Sequence, residues 1–268
     1  MMKKRKNDSI TLQSKKGKKA LDLIDIKEYE DFYIFKFSIC KGISSEYDEV
    51  IHNLINLAKE DQECFNMIYP WDDINTILNN NVFIIVYNKK KNFIQGWANI
   101  NYSVINNSSN SNVLYTAFID KIVTRSKPSI KGVGTLILNY IKEKCLNNVY
   151  YYNHESSQCE KINIDILYLF SLTSSIPFYK KINFLETLEC SECDEFTKKI
   201  YEHSFYYNNT KITEDAIKNF AILWEFENNA VMSDKDIEEY AKFKPNEKCD
   251  IPKGENTKIK KFMHDYNV

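Results

Sequence analysis

The stretch IDKIVTRSKPSIKGVGTLI, residues 119–137, carries the strongest structural signal in the chain. A β-branched segment ends in a polar turn, and Gly132 and Gly134 come directly before an amphipathic helical pattern. The 268-residue chain has only six glycines, whereas average usage would give roughly 19. A glycine-bearing turn at the start of a helix presents unsatisfied N–H groups at the positive end of the helix dipole. The stretch therefore predicts a strand, an anion-binding turn and a helix.

Basic residues surround this turn, although the chain as a whole has a net charge of -1. Residues 3–19 hold eight of the 36 basic residues and one of the 37 acidic ones, which leaves 28 bases against 36 acids elsewhere. Within that acidic remainder, residues 121–131 contain four bases and no acid: Lys121, Arg125, Lys127 and Lys131. The local charge favours a polyanionic ligand such as a pyrophosphate.

Two common phosphate motifs do not fit. A P-loop requires a lysine after its last glycine, and Thr135 follows Gly134 here. A dinucleotide fingerprint requires a third glycine where this chain has Ile137. A single G-x-G is equally compatible with a tight turn that binds nothing.

The order of the remaining elements predicts a mixed α/β layer. Strands are predicted at 32–40, 82–87, 93–104, 114–124 and 164–172, and helices at 45–58, 70–78, 132–146 and 174–182. The turn at 88–92 predicts a hairpin. Residues 147–163 are interpreted as a polar and aromatic insertion.

Two segments in this order resemble the GNAT superfamily of N-acetyltransferases. Motif A of that family is a strand followed by [Q/R]-x-x-G-x-[G/A] and a helix, which corresponds to Ser129-Ile130-Lys131-Gly132-Val133-Gly134. Motif B is a strand and a helix with F-Y that ends in G-F, which corresponds to residues 175–184 with Phe178-Tyr179 and Asn183-Phe184. The resemblance covers about residues 30–187.

The resemblance implies an α/β fold with a central mixed sheet flanked by helices, and acetyl-CoA as cosubstrate without a metal. Strands at 120–124 and 167–172 would splay apart to hold the substrates. Main-chain groups of Ile122 and Val123 would bind the pantetheine arm. The pyrophosphate would be held by the N–H groups of Ile130, Lys131, Gly132, Val133, Gly134 and Thr135.

Two residues are candidates for proton transfer. Tyr179 corresponds to the motif B tyrosine that protonates the departing thiolate, and the alternative is a packing aromatic beside Phe178. An amine with a pKa of about 10.4 must lose a proton before it attacks. Asp120 is the candidate base that accepts this proton. A surface or salt-bridged aspartate is the alternative.

Two positions depart from the family pattern. Ser129 stands where motif A begins with Gln or Arg, which removes one pyrophosphate contact that Lys131 could replace. Asn183 stands where motif B has glycine, and asparagine tolerates a positive φ better than most residues.

The predicted domains are a basic flexible arm at 1–28, the GNAT-like domain at 29–187 and a C-terminal helical or irregular extension at 188–268, with helices at 214–223 and 234–241. The longest wholly apolar run is Val82–Tyr87, and no apolar segment follows the basic N-terminus. An intracellular protein, cytoplasmic or nuclear, with reduced cysteines is therefore expected. The pair Cys190 and Cys193 lacks a second pair at zinc spacing. Rich usage of Asn, Ile, Lys and Tyr is typical of an AT-rich genome.

The sequence leaves three functional hypotheses. The first is an acetyl-CoA-dependent N-acetyltransferase that acts on a protein, peptide or small amine. The second is an inactive GNAT-like binding or structural module. The third, compatible with either, is nucleic-acid contact through the basic arm.

Overall fold

The computed structural model describes residues 24–38, 82–107, 112–126, 129–153, 158–171, 175–186, 203–213 and 217. The elements in these residues are β1 (Ile24–Glu28), β2 (Phe32–Ser38), β3 (Val82–Asn88), β4 (Phe93–Asn107), β5 (Asn112–Thr124), α1 (Val133–Lys144), β6 (Val149–Asn153), β7 (Gln158–Ile162), β8 (Ile166–Ser171), α2 (Ile176–Lys181), β9 (Leu185–Glu186) and β10 (His203–Asn208).

Eight of these strands form one mixed sheet in the order β1-β2-β3-β4-β5-β8-β10-β9. The contact between β5 and β8 is parallel, and the other neighbouring pairs are antiparallel. The chain crosses from β5 to β8 through α1, as a parallel connection requires. The predicted α/β class with a central mixed sheet is confirmed.

The predicted hairpin of β3 and β4 is confirmed, and its turn is stabilised by asparagines. Asn88 Oδ1 accepts hydrogen bonds from the N–H groups of Lys90 at 3.0 Å and Lys91 at 2.9 Å. Asn92 ends the turn with a φ of 57°, a conformation that asparagine tolerates. The helices predicted at 45–58, 70–78, 214–223 and 234–241 lie outside the described residues, apart from helical Ile217.

The main core lies between the sheet and α1. Val133, Ile137 and Ile141 of α1 are buried against apolar residues of β3, β4 and β5. Gly96 on β4 makes this close approach possible, because a Cβ there would lie 3.1 Å from Ile137 Cδ1 and 3.2 Å from Val133 Cγ1. The helix therefore packs directly on the strand pair that continues into the glycine turn.

Residues predicted as the end of a flexible arm form the edge strand β1. Ile26 is buried, and Asp25 Oδ2 accepts a 2.6 Å hydrogen bond from the Tyr140 hydroxyl of α1. Lys27 forms an ion pair with Glu143 of the same helix at 2.6 Å. The arm interpretation therefore does not hold for residues 24–28, because these contacts join them to the domain.

The other predicted boundary also differs from the structure. β10 lies beyond residue 188, where an extension was predicted, yet it pairs with both β8 and β9. Phe205 of β10 is fully buried in the main core. The sheet therefore includes part of the predicted extension. The predicted insertion contains a second small sheet, the β6–β7 hairpin.

Two cysteines lie in the described residues. Cys145 is buried and free, and burial raises the pKa of its thiol to about 12. Cys159 is disulfide-bonded, so the expectation of reduced thiols is wrong at this position. No helix in the described part of the chain is long and apolar enough to cross a bilayer.

Candidate functional site

The sheet opens between its two parallel strands. β5 and β8 pair only through Thr116–Phe118 and Ile166–Tyr168, although β5 continues to Thr124 and β8 to Ser171. Beyond the last pair, β4 is the strand that pairs with β5 among the described residues, and no described strand pairs with its other edge. An opening of this kind leaves main-chain groups on the inner edge of β5 for an extended ligand to pair with.

A β-bulge lies at this opening. Asn99 pairs with Lys121 and Ile100 pairs with Ile119, so Asp120 is an extra residue in β5. Bulges change the direction of a side chain locally and are common near active sites. Asp120 is exposed and lies two residues beyond Phe118, the last residue of β5 that pairs with β8.

The bulge also resets the alternation of side chains along β5. Ile119 and Ile122 both pack against the core that α1 covers, although they are three residues apart. Asp120 and Lys121 lie between them, and Asp120 contacts Asn99, whose neighbours Ala98 and Ile100 face α1. Asp120 therefore lies on the sheet face opposite α1.

Asn99 holds the Asp120 carboxylate. The Asn99 side chain is 1% exposed, and its Nδ2 donates a 3.1 Å hydrogen bond to Asp120 Oδ2. The Oδ1 atom of Asn99 is buried and has no hydrogen-bond partner among the described residues. Sequence reasoning missed Asn99, although a polar residue in the middle of the apolar segment GWANI was a usable signal.

The glycine turn before α1 has a left-handed backbone conformation at Gly132. Gly132 precedes α1 with a φ of 92°, and its carbonyl accepts the first helical hydrogen bond, from Leu136 N–H at 2.8 Å. In the part of the chain that the structure describes, no side chain caps the helix and a Cβ on Gly132 would meet nothing within 4 Å. The turn therefore has open space beside Gly132, at the end of α1 where the first N–H groups have no acceptor within the helix.

Gly134 has a different role. A Cβ on this residue would lie 3.2 Å from Phe178 Cζ of α2 and 3.8 Å from Thr124 Cγ2 of β5. The N-terminus of α1 thus lies beside the open end of β5 and beside the helix that follows β8. The turn and the opening between the strands are consequently at the same end of the sheet.

The predicted basic patch is smaller than the sequence indicated. Arg125 is 1% exposed, and its guanidinium lies 4.6 Å from the centre of the Phe93 ring. Its inclusion in a surface patch is therefore wrong, because the side chain is part of the interior. Lys131 is exposed beside Gly132 and Lys121 is partly exposed, whereas Lys127 lies outside the described residues.

The side chains of the other predicted cofactor positions are buried or partly buried. The side chains of Ile122 and Ile130 pack against the main core, and the Val133 side chain is buried. Thr135 is partly exposed, and Val123 belongs to the part of β5 that β8 does not cover. Ile122 and Val123 therefore lie on β5, and the remaining positions lie at the start of α1.

Tyr179 is the buried residue of α2 and lies among other aromatic side chains. It is 6% exposed, and its ring centre lies 5.8 Å from that of Phe205 and 5.9 Å from that of Phe184. Burial raises the pKa of its hydroxyl to about 12. Tyr179 is therefore largely buried among aromatic rings, and its hydroxyl stays protonated at neutral pH.

No group of three or more potential metal-ligating side chains occurs in the described residues. The Cys190 and Cys193 pair and the basic arm lie outside them. The described site therefore consists of a strand opening, a carboxylate and a helix N-terminus.

No family model matches the chain, and no curated protein matches it either. Among solved structures, it is similar to a putative N-acetyltransferase from Lactobacillus plantarum, with 9% identity and a TM-score of 0.39 over 67% of this chain and 99% of that one. It is also similar to the ribosomal-protein-S18-alanine N-acetyltransferase of Escherichia coli, with 10% identity and a TM-score of 0.39 over 68% of this chain and 97% of that one. A third is NAA60 of Arabidopsis thaliana in complex with acetyl-CoA, with 10% identity and a TM-score of 0.39 over 65% of this chain and 99% of that one.

The proposals that follow rest on the geometry of the described residues.

Proposed function

We propose that this protein transfers an acetyl group from acetyl-CoA to a primary amine. The observation that carries this proposal is the opening between β5 and β8 at the same end of the sheet as the uncapped N-terminus of α1. An acyl-CoA has an amide-bearing arm and a pyrophosphate. The inner edge of β5 fits the first, and the glycine turn fits the second.

The residues of the turn fit a pyrophosphate on physical grounds. The first-turn N–H groups of α1 carry the positive end of the helix dipole, and the open space at Gly132 lets a phosphate approach the backbone. Lys131 adds a cationic side chain beside them. Because Ser129 is exposed and neutral, Lys131 is the described side chain that supplies charge to this end of the site.

Acetyl transfer by direct attack requires a proton acceptor on the amine side. As the C–N bond forms and the C–S bond breaks, the amine loses a proton and the sulfur gains one. Asp120 accepts the amine's proton, directly or through water, since it is the exposed carboxylate at the bulge.

Tyr179 supplies a hydrogen bond to the departing sulfur. With a pKa of about 12 against about 8.5 for a thiol, complete transfer of its proton would be uphill by roughly 5 kcal/mol. A hydrogen bond that stabilises developing charge requires no such transfer. After the products separate, the CoA thiolate takes a proton from solvent and Asp120 releases its proton to solvent.

The burial of Tyr179 also favours a second candidate, a GNAT-like module that binds acetyl-CoA without transferring its acetyl group. Tyr179 as a whole residue is 6% exposed, which limits the area over which a ligand can contact it. In that case the opening and the glycine turn would bind the ligand, and Tyr179 would only pack.

Two measurements test the proposal. Acetyl-CoA at about 100 times its Kd should stabilise the protein by about 2.7 kcal/mol, seen as a rise in Tm. Release of free thiol should then depend on added amine. Absence of a Tm shift would contradict both candidates, whereas a shift without amine-dependent thiol release would favour the binding module.

A further inference from the structure

Asn99 is the buried polar residue of the site that the reaction proposed above does not use. Its side chain is 1% exposed on β4, at the bulge where β5 parts from β8. One end of its amide is bonded to Asp120, and the other end, Oδ1, has no hydrogen-bond partner in the described residues. A buried acceptor without a donor is unfavourable, so its presence calls for a ligand or a water.

The orientation of this amide is fixed by its neighbour. If the two ends were exchanged, Oδ1 would face the Asp120 carboxylate, and two acceptors would lie 3.1 Å apart. Nδ2 therefore faces Asp120, and the atom without a partner is the oxygen. An oxygen accepts hydrogen bonds only, so the missing group is an N–H or O–H donor.

The surroundings of Asp120 indicate the charge of that donor. Asp120 is an exposed carboxylate whose position Asn99 fixes. Carboxylate and amide oxygens on the same side of the sheet are complementary to an ammonium group, which has several N–H donors and a positive charge. A neutral hydroxyl would satisfy Asn99 without using the charge.

Aromatic side chains complete this side of the opening. Asp120 and Phe170 each lie two residues beyond the last β5–β8 pair, Phe118 with Tyr168, so they lie on the same face of the sheet. The Phe118 ring centre is 5.8 Å from that of Phe170. Aromatic rings favour both an alkyl chain and a cation next to them.

We propose that Asn99 and Asp120 together bind the ammonium group of the acceptor, with Asn99 Nδ2 fixing the carboxylate and Asn99 Oδ1 accepting a hydrogen bond from the amine. This inference rests on the proposed function and specifies its acceptor as an unhindered primary alkylamine. Asn99 is thus both a positioning residue for Asp120 and a contact for the acceptor.

The test uses n-butylammonium as the probe and n-butyltrimethylammonium as its control, with the full chain saturated with CoA. The control ion has the same charge and no N–H group. Asn99→Leu should weaken n-butylammonium binding by about tenfold or more, because a hydrogen bond to a charged donor is lost. Binding of the trimethyl ion should not change by a comparable factor.

Asn101→Leu is the matched control variant. Asn101 lies two residues along β4 on the same face and pairs with Phe118. It should leave n-butylammonium affinity within about twofold. Equal weakening by both leucine variants, or unchanged affinity in Asn99→Leu, would overturn the inference, as would failure of the wild-type protein to bind n-butylammonium.

The acetyl-CoA measurement separates this inference from the proposed function. Asn99→Leu should keep the Tm rise caused by acetyl-CoA, because Asn99 lies on the amine side. If Asn99→Leu does not fold, the side-chain amide resonance of Asn99 in the wild-type protein serves instead. It should shift with n-butylammonium and not with n-butyltrimethylammonium, and an unshifted resonance would overturn the inference.

Discussion

Gly134 and Phe178 form a packing pair across the two motifs of the site, since a Cβ on Gly134 would lie 3.2 Å from Phe178 Cζ. The glycine turn before α1 and the short helix α2 are therefore fitted to one another. This contact places the N-terminus of α1 and the Phe178 ring of α2 together at the open end of β5.

Gly134→Ala should consequently destabilise the fold as well as the site. Overpacking of this kind costs about 1–3 kcal/mol in free energy of unfolding. Phe178→Leu in the same chain should recover part of the loss, because the shorter side chain leaves room for the methyl group. Urea unfolding of the two single variants and the double variant measures the coupling, and strict additivity would show that the pair does not interact.

Gly132 should respond in the opposite way, with binding lost and the fold retained. Its φ of 92° is unfavourable for a side chain, but a Cβ there would meet nothing. Gly132→Val should therefore cost about 1–2 kcal/mol in local backbone strain and shift the turn away from its anion-binding conformation. Acetyl-CoA affinity, measured by calorimetry, should fall at least about tenfold.

Gly132→Asn is the matched control, because asparagine tolerates a positive φ. It should keep most of the acetyl-CoA affinity. Full affinity in the valine variant would remove the turn from the binding site.

Substitutions of Lys131 and Arg125 should distinguish a positive charge that acts on the ligand from one that stabilises the interior. Lys131 is exposed beside the turn, whereas Arg125 is buried against Phe93. Lys131→Ala should weaken acetyl-CoA binding by a fewfold, with a loss that shrinks as salt is raised. Arg125→Lys should instead lower Tm, since lysine does not reproduce the planar stacking of a guanidinium. The reverse pattern would show that Arg125 contacts the ligand.

Tyr179→Phe should change the alkaline stability of the protein. The pKa of Tyr179 is about 12 in the folded state and about 10 in the unfolded state. Below pH 10 the Tyr179 hydroxyl is protonated in both the folded and the unfolded state, so its full contribution to the free energy of unfolding is present. Between pH 10 and 12 only the unfolded state releases the proton, so stability falls as pH rises, by up to about 2.7 kcal/mol.

In Tyr179→Phe this portion of the alkaline loss should be absent, and Tm curves from pH 8 to 11 measure it. The same variant should lower kcat for acetyl transfer while the KM for acetyl-CoA stays within about twofold. Unchanged kcat together with the altered pH curve would assign Tyr179 to packing alone.

Local pattern was sufficient to predict most of the described sheet. The strands at β2, β3, β4, β5 and β8 have long β-branched and aromatic runs, and the glycine turn marked the start of α1. These signals are local, since each depends on neighbouring residues along the chain. The mixed α/β class followed from their order.

Long-range contacts decided what local pattern missed. Ile24–Glu28 pairs with β2 as a strand, and its Asp25 and Lys27 side chains bond to α1, more than a hundred residues away. Arg125 is buried because β4 brings Phe93 under it, which no count of charges along the sequence could indicate. The bond from Asn99 to Asp120 likewise depends on the register and bulge of β4 and β5.

Asn183 should be a conformational substitute for glycine at the end of α2. Its φ is 63°, and its N–H donates to Lys180 O at 3.3 Å as the chain leaves the helix. Helices often end with a glycine in this left-handed conformation, and asparagine is the next most suitable residue. Asn183→Gly should leave Tm unchanged or slightly higher, whereas Asn183→Ala should lower stability by about 1 kcal/mol. Phe184 follows Asn183 directly and packs on Tyr179. Equal stability of the alanine and glycine variants would show that the backbone conformation of Asn183 does not position Phe184 against Tyr179.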